Sequence, residues 1–239
     1  MELRLDKIIS SAGVASRSEV KTLIRRGAVQ VDGVTAKSPQ EKTDPERSVI
    51  TVNGEPVNYK KNRCYMMNKP AGYVTSTEDP RDRTVMELLP DDLRRLGLFP
   101  AGRLDKDSEG LLIITDDGEL AHRITAPKHK VKKRYYIETD GEFTPEDIEA
   151  FSAGVVLGDG YECLPAKLEL LTGGEKYRAC VTVSEGKYHQ VKRMAAARGK
   201  HVTYLKRLST GALELPDDLR PGETKELSAE DIESLFVEK

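Results

Sequence analysis

Apolar positions in the first sixty residues change period once, from helical to alternating. Leu5, Ile8 and Ile9 recur at helical spacing, and Gly13 predicts the stop. Ser16-x-x-Glu19 has the form of a capping box, in which each side chain satisfies the other residue's orphan amide. The helix it opens places Val20, Leu23 and Ile24 on one face and ends at Gly27. Beyond it the period falls to two. Val29 and Val31 alternate into Asp32-Gly33, and residues 49–52 lead into Asn53-Gly54, both of them hairpin signals. Two short helices with short hairpins predict a small α/β unit over residues 1–58, with 56–62 as its linker.

Residues 59–239 mix strand and helix patterns without a regular βαβ alternation. Segments 65–68, 111–115, 135–138, 167–171, 177–183 and 202–208 read as strands. Thr144-Pro145 opens a helix with proline at its first position, ending at Gly154. A second helix is expected from about 188 to 198, stopped by Gly199. Several strands alternate apolar and polar, which predicts a mainly antiparallel sheet with one solvated face and flanking helices. The fold class is α+β. The chain closes in a helix expected over 228–236, read as a surface element.

Composition narrows the class. Charged residues make up 33% and apolar residues 38% of the 239, as in a globular protein. No run approaches the roughly 18 apolar residues of a membrane span, and the start of the chain lacks the apolar core of a signal peptide. A cytoplasmic protein without a membrane partner is the expectation. Cys64, Cys163 and Cys180 are far apart and form no CxxC pair, so reduced core cysteines and no metal site are expected. The net charge of −2 conceals an uneven distribution. Residues 214–239 hold nine acidic and three basic residues, net −6, which leaves +4 for residues 1–213. Within those, 122–134 carries six Lys/Arg and 186–213 seven, with no acid in either stretch. Such stretches suit a nucleic-acid partner and equally a solvated surface.

Arg17, Lys21 and Arg25 stand at i, i+4, i+8 and so line one face of the second helix, opposite its apolar face. Arg4, Lys7 and Arg26 are candidates to extend that stripe. Contacts from such a stripe to phosphates supply affinity and orientation and do not read sequence. Arg4-Leu5-Asp6-Lys7, Ser16-Arg17, Leu23-Ile24, Gly27 and Val29-x-Val31-Asp32-Gly33 together resemble the S4 RNA-binding domain over most of residues 3–54. The resemblance implies structured RNA as a partner. It implies no chemistry.

The segment Gly102-Arg103-Leu104-Asp105-Lys106-Asp107-Ser108-Glu109-Gly110 is a charged loop feeding the apolar run 111–115. By composition it is a surface turn before a core strand, although loops fixed to strands are also where catalytic groups sit. Its wording resembles the catalytic motif of the pseudouridine synthases, in the branch that carries an S4 domain and acts on ribosomal RNA. Met67-Asn68-Lys69-Pro70-x-Gly72-Tyr73, Lys133-Arg134-Tyr135 and the run from Glu185 to Met194 resemble that family's other motifs, in the family's order. The likeness spans nearly the whole chain.

What the resemblance implies is specific. The reaction breaks the bond from ribose C1′ to uracil N1, turns the base and rejoins it through C5. Nothing is oxidised and no group is imported, so no cofactor is expected. A carboxylate can act in such a scheme as nucleophile or base, and Asp105 takes that position. Asp107, two residues on, would point to the opposite side of an extended loop. Lys192 takes the place of the basic partner that offsets desolvation of the carboxylate. Tyr135 matches the residue packed against the flipped base. Arg103 matches the arginine that fills the space left by the extruded nucleotide, where a planar guanidinium suits stacking and phosphate contact. His189 and Arg193 fall in a motif of RNA contacts, and Lys69-Pro70 is expected to shape the loop. Tyr188-His189-Gln190-Val191-Lys192 and residues 72–80 look most like the small-subunit (16S) branch. The expectation is therefore a monomeric two-domain enzyme, 1–58 and 59–239, isomerising a uridine in small-subunit rRNA, with early assembly proteins as candidate companions. A large-subunit rRNA or tRNA isomerase and a non-catalytic RNA-binding assembly factor are the alternatives.

Overall fold

A computed structural model describes residues 2–60, 62–173 and 177–237; Lys61 of the expected linker and residues 238–239 of the acidic tail lie outside the described residues. The chain forms two compact units, Met1–Arg63 with Pro90–Leu98, and Cys64–Leu89 with Phe99–Lys239.

The first unit contains β1 (Leu3–Arg4), α1 (Leu5–Ser11), α2 (Arg17–Arg25), β2 (Val29–Val31), β3 (Val34–Thr35), β4 (Lys42–Thr43), β5 (Ile50–Val52), β6 (Glu55–Pro56) and α3 (Asp91–Arg94). Strands order as β3-β2-β5-β6, with β1 and β4 paired separately. The capping box forms in full: the Ser16 amide donates to Glu19 Oε2 at 2.7 Å, and the Glu19 amide to Ser16 Oγ at 3.3 Å. Asp32 and Gly33 both take positive φ, as do Asn53 and Gly54, which is the geometry of two-residue hairpin turns. Leu5, Ile8, Ile9, Val20, Ile24, Val29, Ile50 and Val52 form the core. This unit runs past residue 58, because the Arg63 guanidinium donates to the Ser11 carbonyl at 3.0 Å. It also recruits Pro90–Leu98, where Leu96 packs at Gly13 and Leu98 is buried. Neither contact leaves a local signal in the sequence.

The second unit contains β7 (Cys64–Lys69), β8 (Phe99–Ala101), β9 (Glu109–Thr115), α4 (Gly118–Thr125), β10 (Lys133–Thr139), α5 (Pro145–Ala153), β11 (Lys167–Leu171), β12 (Tyr177–Val183), α6 (Gln190–Ala197), β13 (Val202–Thr210), β14 (Leu213–Glu214), β15 (Thr224–Glu226) and α7 (Ala229–Ser234). Its mixed sheet orders as β11-β12-β10-β13-β9-β7-β15, with β14 on β13 and β8 on β9. Pairing is antiparallel throughout except between β13 and β9. Strand β10, paired on both edges, alternates partly exposed and buried positions from Arg134 to Thr139. Every residue of β7, by contrast, is buried. The parallel contact depends on Gly110. Its φ is +102°, and a Cβ there would lie inside the contact distance of the Arg207 carbonyl and amide. Buried Arg207 then donates from Nε to the Leu111 carbonyl at 2.6 Å.

The acidic C-terminal stretch corrects an expectation. It is not merely a surface element. Leu213, Leu227 and Leu235 are buried in the same core cluster as Cys64, Met66, Leu111 and Ile113. Strand β15 pairs with β7, and the Leu227 amide donates to the Cys64 carbonyl at 2.8 Å. Gly211 makes room for this closure, since a Cβ there would strike the Leu235 carbonyl. The charges lie outside and the sparse leucines inside, so net charge hid the role of the segment. All three cysteines are free and buried.

Candidate active site

A cleft of about 630 Å³ opens in the second unit. Its floor is one face of the sheet. Lys133 and Tyr135 stand two apart on β10 and so share that face. Val183 on β12 lies opposite Lys133, and Arg207 on β13 opposite Tyr135. One wall is the 102–108 loop, and the other is the segment 185–192 that leads into α6.

The loop is a turn, not an extended stretch. The Ser108 amide donates to the Asp105 carbonyl at 3.1 Å, which folds Lys106-Asp107 over and brings Asp107 to the side of Asp105. The expectation that the two carboxylates diverge is therefore corrected. Lys69, fully buried, holds the loop from behind: its ammonium donates to the carbonyls of Ser108 (2.7 Å), Pro70 (3.0 Å) and Lys106 (3.3 Å). Burial pushes the Lys69 amine down to about 8, while Asp107, Glu109 and Asp105 pull against that shift. From the side, Thr75 Oγ1 donates to the Leu104 carbonyl at 2.7 Å and accepts from the Leu104 amide at 3.2 Å. The Gly72 amide reaches the Lys106 carbonyl at 2.7 Å, and Lys106 pairs with Asp82 at 2.5 Å.

The opposite wall is fixed by a buried carboxylate. Glu185 accepts from the Tyr161 hydroxyl (2.7 Å), the Leu164 amide (2.9 Å) and Gln190 Nε2 (2.7 Å), while Gln190 Oε1 accepts from the Lys187 amide at 2.9 Å. His189 then enters the left-handed region, with φ 49°, at the start of α6. One turn later Lys192 projects toward the loop. Its ammonium lies 2.6 and 2.8 Å from the two Asp107 oxygens and 3.4 Å from Asp105 Oδ2. His189 Nε2 lies 3.4 Å from Asp105 Oδ1. The Lys192 hydrogen bond holds the Asp107 carboxyl below the usual carboxylate range. Asp107 is thus the tighter partner of Lys192. Asp105 keeps the cation near while its side chain, 29% exposed, stays open to the cleft.

Asp105, Arg103, Tyr135, His189 and Lys192 all line this one cleft, so the structure brings together five residues drawn from three distant segments. Tyr135 is nearly buried in the floor, and Arg103 is exposed at the wall. Arg193 differs. It pairs with Asp159 at 2.5 Å and donates to the Tyr188 carbonyl at 3.4 Å, which anchors the wall. In the first unit, Arg4, Lys7, Arg17, Lys21, Arg25 and Arg26 are all exposed, and Arg4 is engaged with Asp6 at 2.6 Å. Sequence reasoning passed over Lys133, whose amine burial and Arg207 push down to about 8. Its spacing from Tyr135 was the available signal. Arg207 and Thr75 carried none. The buried Ser108 hydroxyl, which also lines the cleft, has no hydrogen-bond partner among the described residues. Among the described residues no cluster of three or more His, Cys, Asp or Glu side chains is placed to hold a metal.

An open carboxylate thus stands beside a lysine and over a tyrosine floor, in a chain that also carries a small α/β unit with a basic stripe, and the family comparisons place such a chain in an RNA-modifying class. Residues 63–197 match the RNA pseudouridylate synthase family, and residues 3–49 match the S4 domain. The chain belongs to the RNA pseudouridylate synthase family, with an S4 domain ahead of the synthase unit. It is 46% identical to an uncharacterized RNA pseudouridine synthase of Bacillus subtilis, over 98% of each chain. It is 40% identical to ribosomal small subunit pseudouridine synthase A of Escherichia coli, over 98% of this chain and all of that one. A crystal structure of a pseudouridylate synthase superposes with a TM-score of 0.68 at 37% identity, covering 98% of this chain and 99% of the other.

Proposed function

We propose that this protein converts a uridine of small-subunit ribosomal RNA to pseudouridine, with Asp105 as the reacting carboxylate. The observation that carries this reading is the Asp105 carboxylate, open to the cleft and 3.4 Å from the Lys192 ammonium. A flipped uridine enters with its base against the Tyr135 ring. Asp105 acts on the nucleotide as the bond from C1′ to N1 breaks, and the base turns and rejoins at C1′ through C5. The C5 proton leaves and N1 gains one, so the reaction is an isomerisation. Lys192 offsets the charge of the carboxylate, and Arg103 occupies the gap left in the RNA. Small-subunit rRNA is favoured by the full-length likeness to small-subunit synthases from several bacteria. The S4 unit offers Arg17, Lys21 and Arg25 to phosphates. Extruding a base costs a few kcal/mol, which contacts from a second unit offset on a large RNA. The enzyme works as a monomer in the cytoplasm, on rRNA with or without early assembly proteins.

Asp105→Asn tests the chemistry. The variant keeps the size of the side chain and loses its charge, so it should bind RNA and release no tritium from C5-labelled uridine. Tritium release near the wild-type rate would remove Asp105 from the mechanism. Incubating wild-type enzyme with small-subunit rRNA, large-subunit rRNA and tRNA, then locating pseudouridine by carbodiimide-dependent primer extension, tests the substrate. Modification confined to large-subunit rRNA or tRNA would overturn the choice of RNA and leave the chemistry standing.

A further inference from the structure

Tyr188 is the most exposed large hydrophobic side chain among the described residues, at 77%, and it stands at the cleft. Its ring is parallel to that of His189, with centroids 3.8 Å apart and planes 18° from each other. The cause is local. Consecutive side chains diverge in extended backbone, but the left-handed conformation of His189 folds the chain so that the two rings overlap. His189 is itself set against Asp105 at 3.4 Å. One face of Tyr188 is thus backed by a second ring while the remainder meets solvent.

The segment that presents this ring is not slack. Glu185 and Gln190 lock both sides of it, and Arg193 holds the Tyr188 carbonyl while pairing with Asp159. A rigid mount, a free aromatic surface and the exposed cation of the preceding residue, Lys187, are the parts of a single-strand stacking platform: bases stack on aromatic side chains while cations follow the backbone. A tyrosine that served only to cover His189 would be matched in that task by any apolar side chain of similar size.

We infer that Tyr188 is the stacking subsite for an unpaired RNA base next to the target uridine. This rests on the reading of the Asp105 cleft as the uridine site, and it adds the neighbouring nucleotide to what that site recognises. The ring takes purine or pyrimidine alike, since every base has a π-face. The subsite therefore selects an unpaired neighbour and not its identity. Stacking places that neighbour one base step from Asp105 and holds the strand open around the flipped nucleotide.

The test couples protein and RNA changes. The RNA is a small-subunit rRNA fragment containing the target, with 2-aminopurine or an abasic site at each nucleotide flanking it. Binding of the Asp105→Asn protein should change 2-aminopurine fluorescence strongly at one flanking position, and Tyr188→Leu in that background should abolish the change. In the active enzyme, Tyr188→Leu should raise KM about tenfold with a small effect on kcat, and Tyr188→Phe and Tyr188→Trp should retain wild-type KM. The decisive result is non-additivity: on RNA abasic at the sensitive position, wild type and Tyr188→Leu should have equal KM. Additive losses at every flanking position, or a Tyr188→Leu enzyme with wild-type KM, would overturn the subsite. Because fluorescence is read without turnover, it separates this outcome from failure of the Asp105 chemistry.

Discussion

Asp147 sits in the first turn of α5 with its side chain 1% exposed, yet it carries a charge. Burial by itself would push the carboxyl up. Hydrogen bonds from Lys200 Nζ (2.6 Å), the Thr144 amide (2.9 Å) and Arg198 Nε (2.7 Å) reverse this and hold it at about 2, against an ordinary 3.8. That difference corresponds to about 2 kcal/mol of folding free energy at neutral pH. The folded value is the lower one, so the contribution is complete above the unfolded value and is lost as pH falls toward the folded one. It should be intact above about pH 4.5, roughly halved near pH 3 and mostly gone by about pH 2. Asp147→Asn retains an acceptor for the Thr144 amide and strips Arg198 and Lys200 of their counter-charge. Those two side chains are 35% and 15% exposed, so water relieves part of the penalty. The expected loss is about 2–3 kcal/mol, at or below the lower end of the range for breaking a buried pair. For a unit of this size that lowers the melting temperature by roughly 4–9 °C. Urea titrations of wild type and variant at pH 7, 5, 4 and 3 measure the gap. A gap as wide at pH 3 as at pH 7, or no gap at pH 7, would refute the reasoning.

Replacing Arg17, Lys21 and Arg25 together by alanine should weaken binding to unrelated RNAs alike. The slope of log K against log salt should fall by roughly one unit for each phosphate left without its cation; an unchanged slope in filter-binding titrations would mark the stripe as plain solvated surface. Lys69→Met should lower kcat at least tenfold with little change in KM, because the 105–108 turn loses the ammonium that gathers three of the carbonyls around it. Steady-state kinetics with wild-type kcat would show that the loop holds its shape without that anchor.

Local order was legible in the chain. The Ser16/Glu19 box, the Asp32-Gly33 and Asn53-Gly54 turns and the Pro145–Ala153 helix each rest on contacts within a few residues, and all are in the structure. Strand periodicity was equally local, so β11 and β12 fall where the alternation put them. The motif wording marked Asp105, Tyr135 and Lys192, which meet in one cleft.

What the sequence could not decide was every relation set by packing between distant segments. That Asp107 turns to share Lys192 with Asp105 depends on Lys69 and Thr75 pulling the loop backbone inward, contacts that span 29 to 39 residues. That an acidic C-terminus closes the core depends on three leucines reaching β7 and β9, while its charge count pointed outward. That Gly110 tolerates no side chain depends on β13 arriving alongside in parallel, 97 residues later. Periodicity and capping are properties of neighbours along the chain and can be read there. Register, loop shape and the pairing of buried charges belong to neighbours in space, and only the folded chain fixes which residues those are.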